Sequence, residues 1–383
     1  MRIAFDAKRA YQNNTGLGNY SRSLIASLAE VYSENAYYLM APKQTTMFDT
    51  APYNNIHTIT PSGIFKTVSS LWRSNYVTRD LKKLNIDIYH GLSNEIPAGI
   101  QHTSIKSVVT IHDLIFERYP KQYKPIDNAI YRKKFSNACK HADKVIAISE
   151  QTKQDIIQYY GTAEEKIVVC YQSCNPIFEQ KITDAEKQRI KGKYKLPDTY
   201  FLYVGSVIER KNLLNICKAL KELQPTIKIP LVVIGTGREY MQVVKAFVSE
   251  NGLTQDVIFL SEQDATIDDA DFRSAKDFPA IYQSAIAMIY PSVYEGFGIP
   301  ILEAMWSGTP VITSNTSCMP ETGGDAAYYI DPYAVADIAK AMTRIATDQQ
   351  VRSEMARKGY VQAQKFTPAS CAAAVMQVYE SLL

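Results

Sequence analysis

Short apolar runs separated by amphipathic stretches recur along the 383 residues. The runs at 1–7, 37–41, 56–59, 86–90, 107–111, 144–148 and 167–170 are too short for helices and largely apolar at successive positions. Buried parallel strands read this way, because both of their faces are covered. Between them, Leu24, Ile25, Leu28 and Val31 keep helical spacing from Asn19 onward, a helix is expected near 70–84, and a long one over 126–142. A second series of strands follows at 200–205, 231–234, 257–260, 287–290, 309–313 and 328–331, with helices over 213–223, 333–347, 349–365 and 368–382. Alternation of this kind predicts an α/β fold with parallel sheets covered on both faces. The charged stretch 184–195 and Leu196-Pro197-Asp198 predict a change of domain near 176–198.

One stretch carries more than pattern. The strand 287–290 is broken by Pro291-Ser292, a loop Glu295-Gly-Phe-Gly298 follows, and Pro300 stands where a helix begins. The amides of Gly296, Phe297, Gly298 and Ile299 are then not used within the helix, and the dipole makes that end favourable for a phosphate. Glu295 and Glu303 bracket the loop. Carboxylates repel phosphate, so these two are expected to accept hydrogen bonds from hydroxyls on either side of it. Phosphate flanked by hydroxyl-bearing groups describes a nucleotide-sugar.

Seven residues separate the two glutamates, and Gly-Phe-Gly follows the first. The stretch resembles the Glu-x7-Glu motif of retaining GT-B glycosyltransferases, the family 4 group in particular. The likeness continues through Ala304-Met-Trp-Ser-Gly-Thr-Pro-Val311, Ser314-Asn315, Pro320-Glu321 and Gly324-Asp325-Ala326. It implies two Rossmann-like α/β/α domains facing a cleft. The first, acceptor-side domain would span 1–180, the nucleotide-sugar-binding domain 181–367, and the helix 368–383 would cross back to the first. By the same resemblance Glu295 faces the donor sugar and Glu303 the ribose diol.

Two further segments fit. Arg210 and Lys211 stand at a strand-to-helix junction, one a planar fork and the other a point charge, well placed for phosphate oxygens. The resemblance makes them the cations that neutralise the leaving diphosphate. Ser206 stands where several relatives carry an additional Arg, so this pair acts alone. His112 closes the strand 107–111 and resembles the family's strand-end histidine near the reaction centre, whereas His90 reads as structural. In Gly16-Leu-Gly18 the third glycine of a dinucleotide fingerprint is missing. The family role for Gly16 and Gly18 is to approach the donor diphosphate and sugar.

Composition narrows the field. A formal net charge of +3 argues against a nucleic-acid partner. Six cysteines without CxxC spacing indicate neither zinc nor a disulfide framework, which suits a cytoplasmic location. No apolar run approaches the length of a membrane span. Asp269-Ala-Asp271 formally matches a metal-binding DxD, but lies in a polar segment, 261–276, far in sequence from the phosphate elements. No metal and no cofactor is expected. Around 118–144 basic residues outnumber acids, either as a solvated helix face or as a patch for anionic headgroups at the inner membrane face.

The reaction so implied moves a hexose from a nucleoside-diphosphate sugar to a hydroxyl of a saccharide or lipid-linked acceptor, with retention and without metal. Val204-Gly-Ser-Val-Ile-Glu-Arg-Lys-Asn212 and His112-Asp-Leu114 look most like mannosyltransferases of bacterial surface polysaccharide assembly, with GDP-mannose as donor. A UDP-hexose or UDP-N-acetylhexosamine donor, a GT-B-fold nucleotide-sugar epimerase and a non-catalytic nucleotide-sugar-binding protein remain as alternatives.

Overall fold

A computed structural model of the chain describes residues 1–224 and 226–383. The chain divides into two compact units, Met1–Ser173 with Phe366–Leu383, and Cys174–Lys365.

The first unit is built on seven parallel strands: β1 (Arg2–Asp6), β2 (Ala36–Met40), β3 (Ile56–Ile59), β4 (Ile88–Gly91), β5 (Lys106–Ile111), β6 (Lys144–Ala147) and β7 (Ile167–Val169), in the order β3-β2-β1-β4-β5-β6-β7. Alternate side chains feed two apolar layers, one on each face. Ile3 and Phe5 of β1 pack with Leu24, Ile25 and Leu28, while Ala4 packs with Trp72, Leu81 and Phe135. The C-terminal helix Pro368–Glu380 belongs to this unit and sets Ala372, Val375, Met376 and Tyr379 into the first layer.

The second unit holds six parallel strands: β8 (Phe201–Val204), β9 (Leu231–Ile234), β10 (Val257–Phe259), β11 (Ala287–Tyr290), β12 (Val311–Ser314) and β13 (Tyr328–Ile330), ordered β10-β9-β8-β11-β12-β13. The order reverses between β1 and β4 in one sheet and between β8 and β11 in the other. In open parallel sheets, ligands bind beyond the carboxyl ends of the strands at such reversals.

Three segments differ from the expectations of pattern. The helix expected from Asn19 begins at Gly16, so the glycines lie in its first turn. The helix expected near 70–84 is interrupted by a π-helical turn, Trp72–Tyr76, which lets Trp72 and Arg73 both be buried. The polar segment 261–276 is not an open loop. It folds into two short helices, Asp264–Ile267 and Ala270–Arg273.

Candidate donor site at the strand-order reversal

Beyond β8 the chain passes Gly205 and makes a 3₁₀ turn, Glu209–Lys211, while beyond β11 it enters the 291–298 turn and the helix Ile299–Trp306. Because β8 and β11 are parallel neighbours at the reversal, both turns lie side by side at the carboxyl end of the sheet. Gly298 starts the helix with φ of +91°, a left-handed conformation costly for other residues, and Pro300 follows inside the first turn.

The carbonyls of this turn are tied back into the protein. Tyr294 O accepts from the Arg210 guanidinium, Glu295 O from Ser317 Oγ at 2.9 Å, Phe297 O from Thr322 Oγ1, and Gly298 O from the Ile301 amide at 2.9 Å. In a trans peptide the C=O and the next N–H point in opposite directions. Tying the Phe297 and Gly298 carbonyls inward therefore turns the amides of Gly298 and Ile299 outward, at the positive end of the helix dipole.

Arg210, Lys211 and Glu295 are brought together beside this turn. Glu295 Oε1 lies 2.8 Å from Arg210 Nη1 and 3.4 Å from Lys211 Nζ, and accepts from the hydroxyls of Tyr290 and Ser292, each at 2.9 Å. Burial works to raise the Glu295 pKa, but Lys211, Arg210 and the Tyr290 hydroxyl outweigh it and hold it at about 2. Glu303 is different: Tyr282 OH donates to its Oε2 at 2.8 Å, and burial lifts its pKa to about 7 against that bond and the Lys211 charge. The two glutamates are thus held one ionised and one close to half-protonated at neutral pH.

In the first unit, His112 stands at the end of β5 with Nε2 2.8 Å from Leu92 O. A carbonyl only accepts, so the proton is on Nε2 and the ring presents Nδ1 as an acceptor. Burial takes the His112 pKa down to about 4, despite the bond to Leu92, so the imidazole is neutral. Tyr20 packs edge-on against it at 4.7 Å. His90 is fully buried between Thr110 Oγ1 at 2.8 Å and Tyr379 OH at 2.6 Å, which joins the C-terminal helix to the sheet. Gly16 has open space around its α-carbon, but a Cβ on Gly18 would stand 1.8 Å from Asn13 O. The Gly18 amide is used inside the turn, donating to Thr15 O at 2.9 Å and Asn13 Oδ1 at 3.1 Å.

The remaining candidates are accounted for by local contacts. Asp269 pairs with Lys193 at 2.9 Å and caps the Phe272 amide, and Asp271 lies 3.2 Å from Lys276. Among the described residues no group of three or more His, Cys, Asp or Glu is arranged to hold a metal. Reading the sequence missed Tyr290, Ser292, Tyr282, Ser317 and Thr322. A tyrosine closing a buried strand, and a serine just after the proline that breaks it, could have signalled the first two. Tyr282, Ser317 and Thr322 carry no local signal.

Comparison with known proteins gives the family and the fold. Residues 184–362 match the family model described as Glycosyl transferases group 1, and residues 15–176 that described as Glycosyltransferase Family 4. The chain belongs to the group 1, family 4 glycosyltransferases. Its fold is GT-B. Among relatives of this glycosyltransferase, O-antigen chain mannosyltransferase B of Escherichia coli is 28% identical over 318 residues, covering 81% of this chain and 77% of that protein. The serotype-specific mannosyltransferase WbdA of Escherichia coli is 26% identical over 306 residues, covering 78% of this chain but 36% of that longer protein. Anabaena Alr3699/HepE, solved in complex with UDP-glucose, superposes over 100% of both chains with a TM-score of 0.73 at 15% identity, a likeness of fold.

Proposed function

We propose that this glycosyltransferase moves mannose from GDP-mannose to a hydroxyl of a saccharide or lipid-linked acceptor in surface polysaccharide assembly, retaining the anomeric configuration and using no metal. The observation that carries the reading is the Arg210–Lys211 pair on Glu295 beside the outward-turned amides of Gly298 and Ile299. The relatives named as mannosyltransferases support the sugar, and HepE, with UDP-glucose bound, supports a nucleoside-diphosphate donor on this fold.

When the bond between the anomeric carbon and the diphosphate lengthens, negative charge grows on the bridging oxygen. Two cations and two amides at fixed positions stabilise that charge without reorganisation, and loss of one such group typically costs about 3 kcal/mol. The acceptor hydroxyl attacks from the face the diphosphate leaves. Its proton passes to a phosphate oxygen, so that one C–O bond breaks, one forms, and the nucleoside diphosphate departs with the proton. Glu295, ionised well below neutral pH, accepts from sugar hydroxyls and does not supply a proton. Glu303, oriented by the Tyr282 hydroxyl that donates to its Oε2, accepts from the ribose diol. Thermal shift with GDP and with UDP tests the donor, since an equal or larger shift with UDP sinks GDP-mannose. NMR of the product tests retention, and an inverted anomer refutes it.

The same reading sets the enzyme at a membrane surface. On the helix Pro125–His141, Ile126 and Ile130 are 68% and 47% exposed and share a face with Lys133, just after Lys121 and Lys124. Exposed Ile64, Val68 and Leu71 lead into Arg73, and Glu95 pairs with both Arg73 and Lys134, which brings the two segments together. Exposed aliphatics beside lysines suit an anionic bilayer. Co-sedimentation with anionic but not zwitterionic vesicles is expected, and equal recovery with both removes the lipid-charge argument.

A further inference from the structure

Lys211 and Glu295 form an ion pair that stops short of a close hydrogen bond. Lys211 Nζ is 3.4 Å from Glu295 Oε1. The hydroxyl of Tyr290 bridges the two from one side, 2.8 Å from the lysine nitrogen and 2.9 Å from the carboxylate oxygen. An ammonium only donates, so the phenol oxygen accepts from Lys211, and its one proton must then go to Glu295. The order of donors and acceptors is fixed from cation to anion. The ammonium lies 4.9 Å from the Tyr290 ring centroid but only 2.8 Å from the hydroxyl. It therefore sits off the hydroxyl edge of the ring, and the hydrogen bond, not the π face, determines its place. On its other side Lys211 lies across Gly205, where a Cβ would stand 3.0 Å from Nζ. Tyr290 itself is only 1% exposed, anchored as the last residue of β11, so its hydroxyl has no room to wander.

We propose that Tyr290 is a positioning residue of the donor site, a spacer that keeps Lys211 from being spent on Glu295 so that its charge stays available to the donor diphosphate. Without the phenol oxygen, the ammonium loses the acceptor that holds it 3.4 Å from the carboxylate. Lys211 would close onto Glu295, and the donor would have to break that tighter pair to recruit it. A second consequence concerns Glu295. With Arg210, Lys211, Tyr290 and Ser292 all gathered on Oε1, the contact with a sugar hydroxyl falls to Oε2. The inference rests on the assignment of this site to a nucleoside-diphosphate sugar.

A binding cycle in the full-length chain tests it, read by calorimetry with GDP and, in a second arm, UDP. Tyr290→Phe is expected to weaken binding of whichever nucleotide the wild-type chain prefers by about tenfold. In a Glu295→Gln background, where no carboxylate can capture Lys211, the same change is expected to alter binding less than about twofold. Melting curves of all four proteins accompany the cycle, since loss of folding would weaken binding in both backgrounds alike. An equal loss in both backgrounds, or no loss in either, overturns the spacer role. Absence of binding of either nucleotide to the wild-type chain would instead remove the assignment of the site on which the spacer depends, so the two failures are distinguishable.

Discussion

Two glycine-bearing segments with the same local spelling stand at helix starts, Gly16-Leu-Gly18 after the short helix Lys8–Gln12 and Gly296-Phe-Gly298 after β11, yet their chemistry differs. In the first, the turn is closed on itself: the Gly18 amide serves Asn13 and Thr15, and its missing Cβ makes room for the Asn13 carbonyl. In the second, the carbonyls of Phe297 and Gly298 are held from inside, so the amides face out. Arg210 and Lys211 stand beside that second turn. A glycine pair therefore says where the backbone bends, and the partners of its carbonyls say whether the amides can meet an anion.

The largest effect expected from breaking this contrast is at Lys211. Lys211→Ala should lower turnover by about 10²–10³ while the melting temperature stays near wild type, and near-normal turnover would deny the second turn its charge. Gly18→Ala should cost the first unit about 1–3 kcal/mol of stability, because the Asn13 backbone must move. An unchanged unfolding midpoint in urea would show that turn to be looser than its geometry. Gly16→Ala meets nothing within 4 Å and should change stability by less than about 0.5 kcal/mol. If it also leaves turnover and donor KM unchanged, Gly16 does not approach the donor.

A further effect is expected in pH dependence, and it sharpens the difference between the two glutamates. The folded pKa of Glu303 is raised to about 7, so its contribution to stability is full below the unfolded value and is lost as pH rises toward and past 7. Between pH 5 and 8 the wild-type chain should lose up to about 3 kcal/mol relative to Glu303→Gln, measured as the gap between their denaturation free energies. Glu295, held at about 2, contributes in the opposite sense, with stability present above its unfolded pKa and lost as pH falls toward 2. A gap between wild type and Glu303→Gln that stays constant from pH 5 to 8 would place Glu303 in a wetter setting.

Much of this site was legible from residue order. Arg210, Lys211, Glu295 and Glu303 lie in two short stretches whose strand-to-helix setting is itself readable, so their meeting at a strand-order reversal follows from parallel topology. Tyr282 and Thr322 were not legible, because each reaches the site from an element whose own pattern reports only packing. The interrupted helix near 70–84 was missed for a related reason: burial of both Trp72 and Arg73, the latter paired with Asp6 and Glu95, overrides the regular period.

By itself the amino-acid sequence determined two series of parallel strands, the glycine turns and the charged residues set in them, since periodicity and turn chemistry are local properties. Only the tertiary structure decided which amides face outward, which glutamate is ionised, and that a tyrosine hydroxyl is bonded to both Lys211 and Glu295. Those outcomes depend on hydrogen bonds and burial supplied by residues distant in the chain, and free energies of that kind have no counterpart in local order.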